Sequence, residues 1–129
     1  MLLADDHSGL IAAWQRLLEP SCDVVGCVGD GRALFEAAIA LEPDVIVADL
    51  AMPGMNGLDA CRSIKSSLPG TKVILVTAGA DEHVAHAAFR AGASAFVLKY
   101  AAAQDLVTAI QRSLLGDTFC GPTEKMKSV

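Results

Sequence analysis

Two tetrapeptides constrain the fold of this 129-residue chain more than any other feature: Val45-Ile46-Val47-Ala48 and Val73-Ile74-Leu75-Val76 are apolar at every position. A strand with one face in water alternates apolar and polar residues, because successive side chains point to opposite faces. A run without alternation has both faces covered, which is the signature of a parallel sheet with helices above and below it. Three further apolar or β-branched runs, Leu2–Ala4, Cys22–Val28 and Ala95–Leu98, bring the predicted strands to five.

Helical spacing fills the intervals. Leu10, Trp14, Leu17 and Leu18 form one apolar stripe, and Leu34, Ala37, Ala38 and Leu41 a second. Leu58, Cys61, Ile64 and Leu68 form a third, Val84, Ala87, Ala88 and Ala91 a fourth, and Leu106, Ile110 and Leu114 a fifth. Ser8, Asp30 and Asp81 stand where helix starts are expected, with Asp105 in the opening turn of the fifth. Glu19-Pro20, Glu42-Pro43, Leu68-Pro69-Gly70, Gly92 and Gly116 supply the stops. Strand–helix alternation with right-handed crossovers predicts an α/β fold. Its simplest form is a flavodoxin-like, doubly wound sheet of five parallel strands in order 2-1-3-4-5, with five helices in three α/β/α layers. Residues 1–116 are the expected domain, and 117–129, without periodicity, read as a linker or appended tail outside the core.

Composition narrows the function. With 53% hydrophobic and 19% charged residues the chain buries a core and is not of disordered type. No apolar run nears the roughly 18 residues of a membrane span, and no basic segment precedes a cleavable apolar one. A net charge of −5 and a pI near 5.0 leave no basic face for nucleic-acid phosphates. Cys22, Cys27, Cys61 and Cys120 lack paired metal spacing, and Cys22 and Cys27 face opposite ways on one predicted strand. All four are read as reduced thiols in a cytoplasmic protein.

In open parallel sheets ligands bind beyond the carboxyl ends of the strands. The first predicted strand ends in Asp5-Asp6, the third in Asp49, the fourth in Thr77 and the fifth in Lys99. Taken singly, an Asp after a strand is ordinarily a turn or cap, a Lys is solvated surface, and a Thr suits a strand. Together at one edge they crowd like charges, at a cost that a cation removes. An all-oxygen site of two or three carboxylates suits Mg2+ or Mn2+ better than zinc. A carboxylate beside such an ion can accept a phosphoryl group, with a lysine and a hydroxyl on the phosphoryl oxygens.

Asp5-Asp6, Asp49 with Met52-Pro53-Gly54-Met55-Asn56-Gly57 after it, Val76-Thr77-Ala78 and Phe96-Val97-Leu98-Lys99 together resemble the receiver domain of two-component response regulators. The likeness runs from about Leu2 to Leu115, and its wording is similar to the NarL/FixJ (LuxR-type) subfamily, whose members carry a C-terminal helix-turn-helix domain that binds DNA. The resemblance implies that Asp49 is the phosphoacceptor for a sensor histidine kinase. It implies Mg2+ (or Mn2+) held by Asp6, Asp49 and the backbone carbonyl of Ala51, with Asp5 acting through water. Lys99 would pair with Asp49 and then with the phosphoryl group, Thr77 would move inward, and Phe96 would follow it. The signal would reach the face of the fourth helix, fifth strand and fifth helix, switching association or a transcriptional output. Homodimerisation on phosphorylation is expected, and no membrane partner. The chain would be a switch, with at most self-dephosphorylation. Two alternatives stay open: a receiver-like module that works without phosphorylation, and a Mg2+-dependent phosphohydrolase, which wants a second acid where Ala51 stands.

Ala51 and Gly79 are small where other receivers often carry polar or bulky side chains, so the site is expected to be open to small phosphodonors. Pro53 is expected to stiffen the loop after Asp49, and Gly57 to let the chain enter the third helix. The rest reads structurally. His83 and His86 belong to a solvated helix face, and His7 shapes its loop rather than ligating an ion that prefers oxygen. Gly26, Gly29 and Gly31 make a turn, not a dinucleotide loop. Phe89 lies off its stripe and is expected on the exposed signalling face.

Overall fold

Strands and helices alternate throughout a computed structural model that describes residues 1–20, 22–52, 54–79 and 82–121. In chain order they are β1 (Leu2–Ala4), α1 (Ser8–Leu18), β2 (Gly26–Val28), α2 (Gly31–Leu41), β3 (Val45–Asp49), α3 (Gly57–Ser67), β4 (Lys72–Thr77), α4 (Glu82–Arg90), β5 (Ala95–Leu98), α5 (Ala102–Leu114) and β6 (Phe119–Cys120). One tight helical turn, Lys99–Ala101, links β5 to α5. The sheet runs β2-β1-β3-β4-β5-β6 with every pairing parallel. The expected order 2-1-3-4-5 is present, extended by one short edge strand.

Unbroken apolarity does what it was expected to do. All five residues of β3 are buried, and neighbours in sequence feed opposite layers. Leu2, Ala4, Ile46, Ala48, Val73, Leu75, Phe96 and Leu98 pack with α2, α3 and α4. Leu3, Val45, Val47, Ile74, Val76, Ala95 and Val97 pack instead with Trp14 and Leu18 of α1 and Leu106, Ala109 and Ile110 of α5. Ile46 and Ile74 are wholly buried, so truncating either to alanine costs about 2–5 kcal/mol.

The elements differ from expectation in four places. β2 covers Gly26–Val28 rather than Cys22–Val28: its register with β1 starts where Leu2 meets Gly26, and ahead of it the Val25 N–H donates to the Met1 carbonyl at 2.8 Å. The tail is not wholly outside the sheet: Phe119 N–H donates to the Ser94 carbonyl (3.2 Å) and Gly121 N–H to that of Phe96 (2.8 Å), making β6. Phe89 is half-buried against the α2–α4 core layer and not on an open face. Ser8 begins α1 instead of capping it, and His7 flanks it without a side-chain cap bond.

Caps explain the remaining boundaries. Asp30 accepts from the Ala33 amide at 2.8 Å, as expected, and Asn56 does the same for α3 through the Asp59 amide at 2.9 Å. Asp81 and Pro53 lie outside the described residues. Glu42 ends α2 in the left-handed region at φ 45°. The four cysteines are free, with Cys61 buried and its thiol pushed up to about 11 by that burial.

Candidate functional site

Register decides which strand ends meet. Ala4 pairs with Ala48, so Asp5 and Asp49 leave adjacent strands side by side. Asp49 pairs with Val76 and Thr77 with Leu98, which sets Thr77 and Lys99 at the same edge, further across the sheet. Lys99 closes the group: its Nζ lies 2.9 Å from Asp49 Oδ2 and 3.0 Å from Asp5 Oδ2.

The other carboxylate oxygens are held from the backbone. Asp5 Oδ1 accepts from the His7 amide at 2.8 Å, and Asp49 Oδ1 from the Ala51 amide at 3.1 Å. The His7 ring Nδ1 stands 3.0 Å from both Asp5 Oδ1 and Asp6 Oδ1. Asp5 and Asp49 are only 2% and 3% exposed, whereas the Asp6 side chain opens to solvent at 40%.

Asp5 and Asp49 thus share one ammonium, and with Asp6 beside them the cluster carries surplus negative charge. Burial pushes the Asp5 carboxyl up, but Lys99 and the His7 contacts outweigh it and leave Asp5 below its ordinary value. Burial pushes Lys99 down, yet bonds and attraction to Asp49 and Asp5 hold it above its usual range. Ligand atoms from Asp5, Asp6, His7 and Asp49 all lie within 4.8 Å of one another. That compact, mostly oxygen donor set with uncompensated charge fits a hard divalent cation. Asp5 and Asp6 also line an open cleft of about 270 Å³ with Ile11, Cys27, Val28 and Gly29, which gives the pocket access to solvent.

Two glycines hold the loop after Asp49 close. A Cβ on Gly57 would sit 2.5 Å from the Asp49 carbonyl oxygen and 2.7 Å from Leu50 Cα, so α3 begins pressed against the chain that carries Asp49. A Cβ on Gly31 would overlap the Met55 carbonyl oxygen, locking α2 onto the same loop. Gly57 was expected as a helix entry; its closeness to Asp49 has no periodic signal. Asn56, missed as a cap, has the ordinary sequence mark of one: an Asn just before a helical stripe.

Of the residues expected at the site, the structure brings Asp5, Asp6, Asp49 and Lys99 together, with the amide of Ala51. Thr77 reaches the edge, 6% exposed, and among the described residues its hydroxyl makes a long 3.5 Å contact to the Gly79 carbonyl. Phe96 is wholly buried in the core layer shared with α2, α3 and α4, and no hydrogen bond or ion pair ties it to the carboxylates. His83 and His86 are exposed.

A family model for the response regulator receiver domain matches residues 1–111. Oxygen regulatory protein NreC of Staphylococcus carnosus is 32% identical over 125 residues, 95% of this chain and 58% of the relative. Transcriptional regulatory protein LiaR of Bacillus subtilis is 34% identical over 119 residues, 91% of this chain and 56% of the relative. The chain therefore spans a little over half the length of these curated relatives. A crystal structure of a LuxR-family two-component response regulator from an Aurantimonas species superposes with a TM-score of 0.87 at 28% identity, covering 98% of this chain and 91% of that one.

Proposed function

We propose, given that this chain belongs to the response regulator receiver domain family, that Asp49 takes up the phosphoryl group of a sensor histidine kinase. One observation carries the assignment: Asp49 is the buried carboxylate held by Lys99 at 2.9 Å and by the Ala51 amide, with Asp5 and Asp6 in the same cluster. Receiver domains are signalling switches, and the chemistry asked of this one is a single displacement. An Asp49 oxygen attacks phosphorus, the N–P bond of the phosphohistidine breaks, and its electron pair stays on the imidazole, which takes up a proton.

Asp5, Asp6, Asp49 and the Ala51 carbonyl would hold Mg2+ (or Mn2+), which when bound offsets the surplus charge and neutralises phosphoryl oxygens. The chain's own groups do the rest. Lys99 passes from Asp49 Oδ2 to a phosphoryl oxygen, which keeps its ammonium paired before and after transfer. Thr77 gives up a weak contact at 3.5 Å, so turning its hydroxyl toward the new acceptor costs little. Phe96, in the same core layer as the small side chains of α4, repacks as Thr77 leaves, altering the face of α4, β5 and α5. β6 lies along the open side of β5 and belongs to that face as well.

The output is proposed to be transcriptional, as the name of the LiaR relative, a transcriptional regulatory protein, suggests, with DNA reached only through a C-terminal helix-turn-helix domain beyond this chain. Homodimerisation on phosphorylation and a cytoplasmic setting complete the proposal. No helix among the described residues is long and apolar enough to cross a membrane.

The test is labelling with acetyl phosphate and Mg2+, read as intact mass. The chain should gain one phosphoryl group, and Asp49→Asn or chelation of the metal should abolish the gain. A chain that stays unlabelled while folded would favour a phosphorylation-independent module, and turnover of a small phosphoester would favour a hydrolase.

A further inference from the structure

The His7 ring stands inside the acidic cluster rather than beside it. Its Nδ1 is 3.0 Å from Asp5 Oδ1 and 3.0 Å from Asp6 Oδ1, and a ring nitrogen of His7 belongs to the set of donor atoms within 4.8 Å that includes Asp49. The His7 backbone amide is tied to Asp5 Oδ1 at 2.8 Å, which fixes the point from which the side chain folds back over the carboxylates. The side chain is 69% exposed, so the carboxylates, and not packing, set the position of the ring.

Adjacent ligands of an octahedral ion with bonds of about 2.1 Å stand about 3.0 Å apart, the bond length multiplied by the square root of two. The nitrogen already keeps that separation from an oxygen of each carboxylate. In the tautomer protonated at Nε2, Nδ1 offers a lone pair to an ion in the place that a bridging proton takes otherwise. Mg2+ gains little from a nitrogen donor. Later first-row ions gain much, since affinity for such sites climbs from Mn2+ through Co2+ to Ni2+ and Cu2+.

We infer that His7 Nδ1 makes the acidic pocket a mixed nitrogen–oxygen site, a ligand to late first-row divalent ions such as Ni2+ and Co2+ that Mg2+ does not use. The inference rests on the reading that Asp5, Asp6 and Asp49 hold a divalent ion. Its consequence is competition: such ions occupy the carboxylates that Mg2+ needs, with an extra bond from a residue that has no part in phosphoryl transfer.

Calorimetric titration of the whole chain with Ni2+ and, separately, with Mg2+ tests it. The exposed His83 and His86, one turn apart on α4, are first replaced by alanine so that Ni2+ has no second imidazole site. In that background His7→Ala should weaken Ni2+ binding at least about tenfold and leave Mg2+ binding within about twofold. The Co2+ complex should lose its His7-dependent visible spectrum in parallel. Equal losses for Ni2+ and Mg2+ would reduce His7 to a residue that positions the loop, and no loss for either would leave it outside the site. Asp6→Asn separates the two levels. If Asp6→Asn abolishes Mg2+ binding while His7→Ala leaves Ni2+ untouched, only the role of His7 falls; if wild type binds no divalent ion, the acidic pocket itself has been misassigned.

Discussion

Lys99 holds two buried carboxylates on one ammonium, and its own side chain is only 17% exposed. Removing one member of such a buried group leaves charge without a partner, which costs about 3–5 kcal/mol. Lys99→Ala should therefore lower unfolding stability by about that amount in urea denaturation without metal, and added Mg2+ should recover part of it. The pH dependence follows from the directions of the shifts. Asp5 titrates below its unfolded value near 3.9, so its stabilisation is complete above about that pH and is lost as pH falls through the folded value. Lys99 titrates above its unfolded value near 10.4, so its share is complete below that pH and is lost as pH rises through the folded value. Denaturation midpoints against pH should show a neutral plateau with two shoulders, and Lys99→Ala should flatten both. At this scale Asp5, Asp6, Asp49 and Lys99 were legible, because strand termini follow from apolar runs. The turn of the His7 ring onto Asp5 and Asp6 was not, because it depends on a loop rotamer that no periodicity records.

The elements position Asp49 through close backbone approach as much as through the sheet. Gly57→Ala would drive a methyl group to 2.5 Å from the Asp49 carbonyl oxygen, and the backbone must shift to admit it. It should destabilise the chain by about 1–3 kcal/mol and slow phosphoryl uptake from acetyl phosphate. Gly9→Ala, which meets nothing within 4 Å, serves as the neutral comparison. Uptake at the wild-type rate in Gly57→Ala would mean that this approach does not hold the acceptor. Helices and inner strands were legible because Val45–Ala48 and Val73–Val76 have no wet face and the stripes between them keep helical spacing. The edges were not. β2 takes its bounds from its register with β1, and β6 is a two-residue strand whose pairing with β5 comes from tertiary register, not from any pattern in Phe119-Cys120.

Across the whole molecule, the same alternation that sends Phe96 to one layer and Val97 to the other makes β5 the link between the site edge and the outer edge of the sheet. It leads into Lys99, pairs with Thr77 through Leu98, carries Phe96, and is bordered by β6. In the proposed function, a charge change at Asp49 would reach the outer edge of the sheet through β5. The fold and the acidic edge could be reasoned from residues alone; the linkage of β5 to the segment after α5 needed the structure. The central claim is that phosphorus is bonded to one carboxylate, Asp49. After labelling with acetyl phosphate and Mg2+, borohydride reduction converts an aspartyl phosphate to homoserine, which peptide mass mapping locates. The account predicts homoserine at position 49 alone; homoserine at position 5 or 6, or a labelled chain with none at 49, would contradict it.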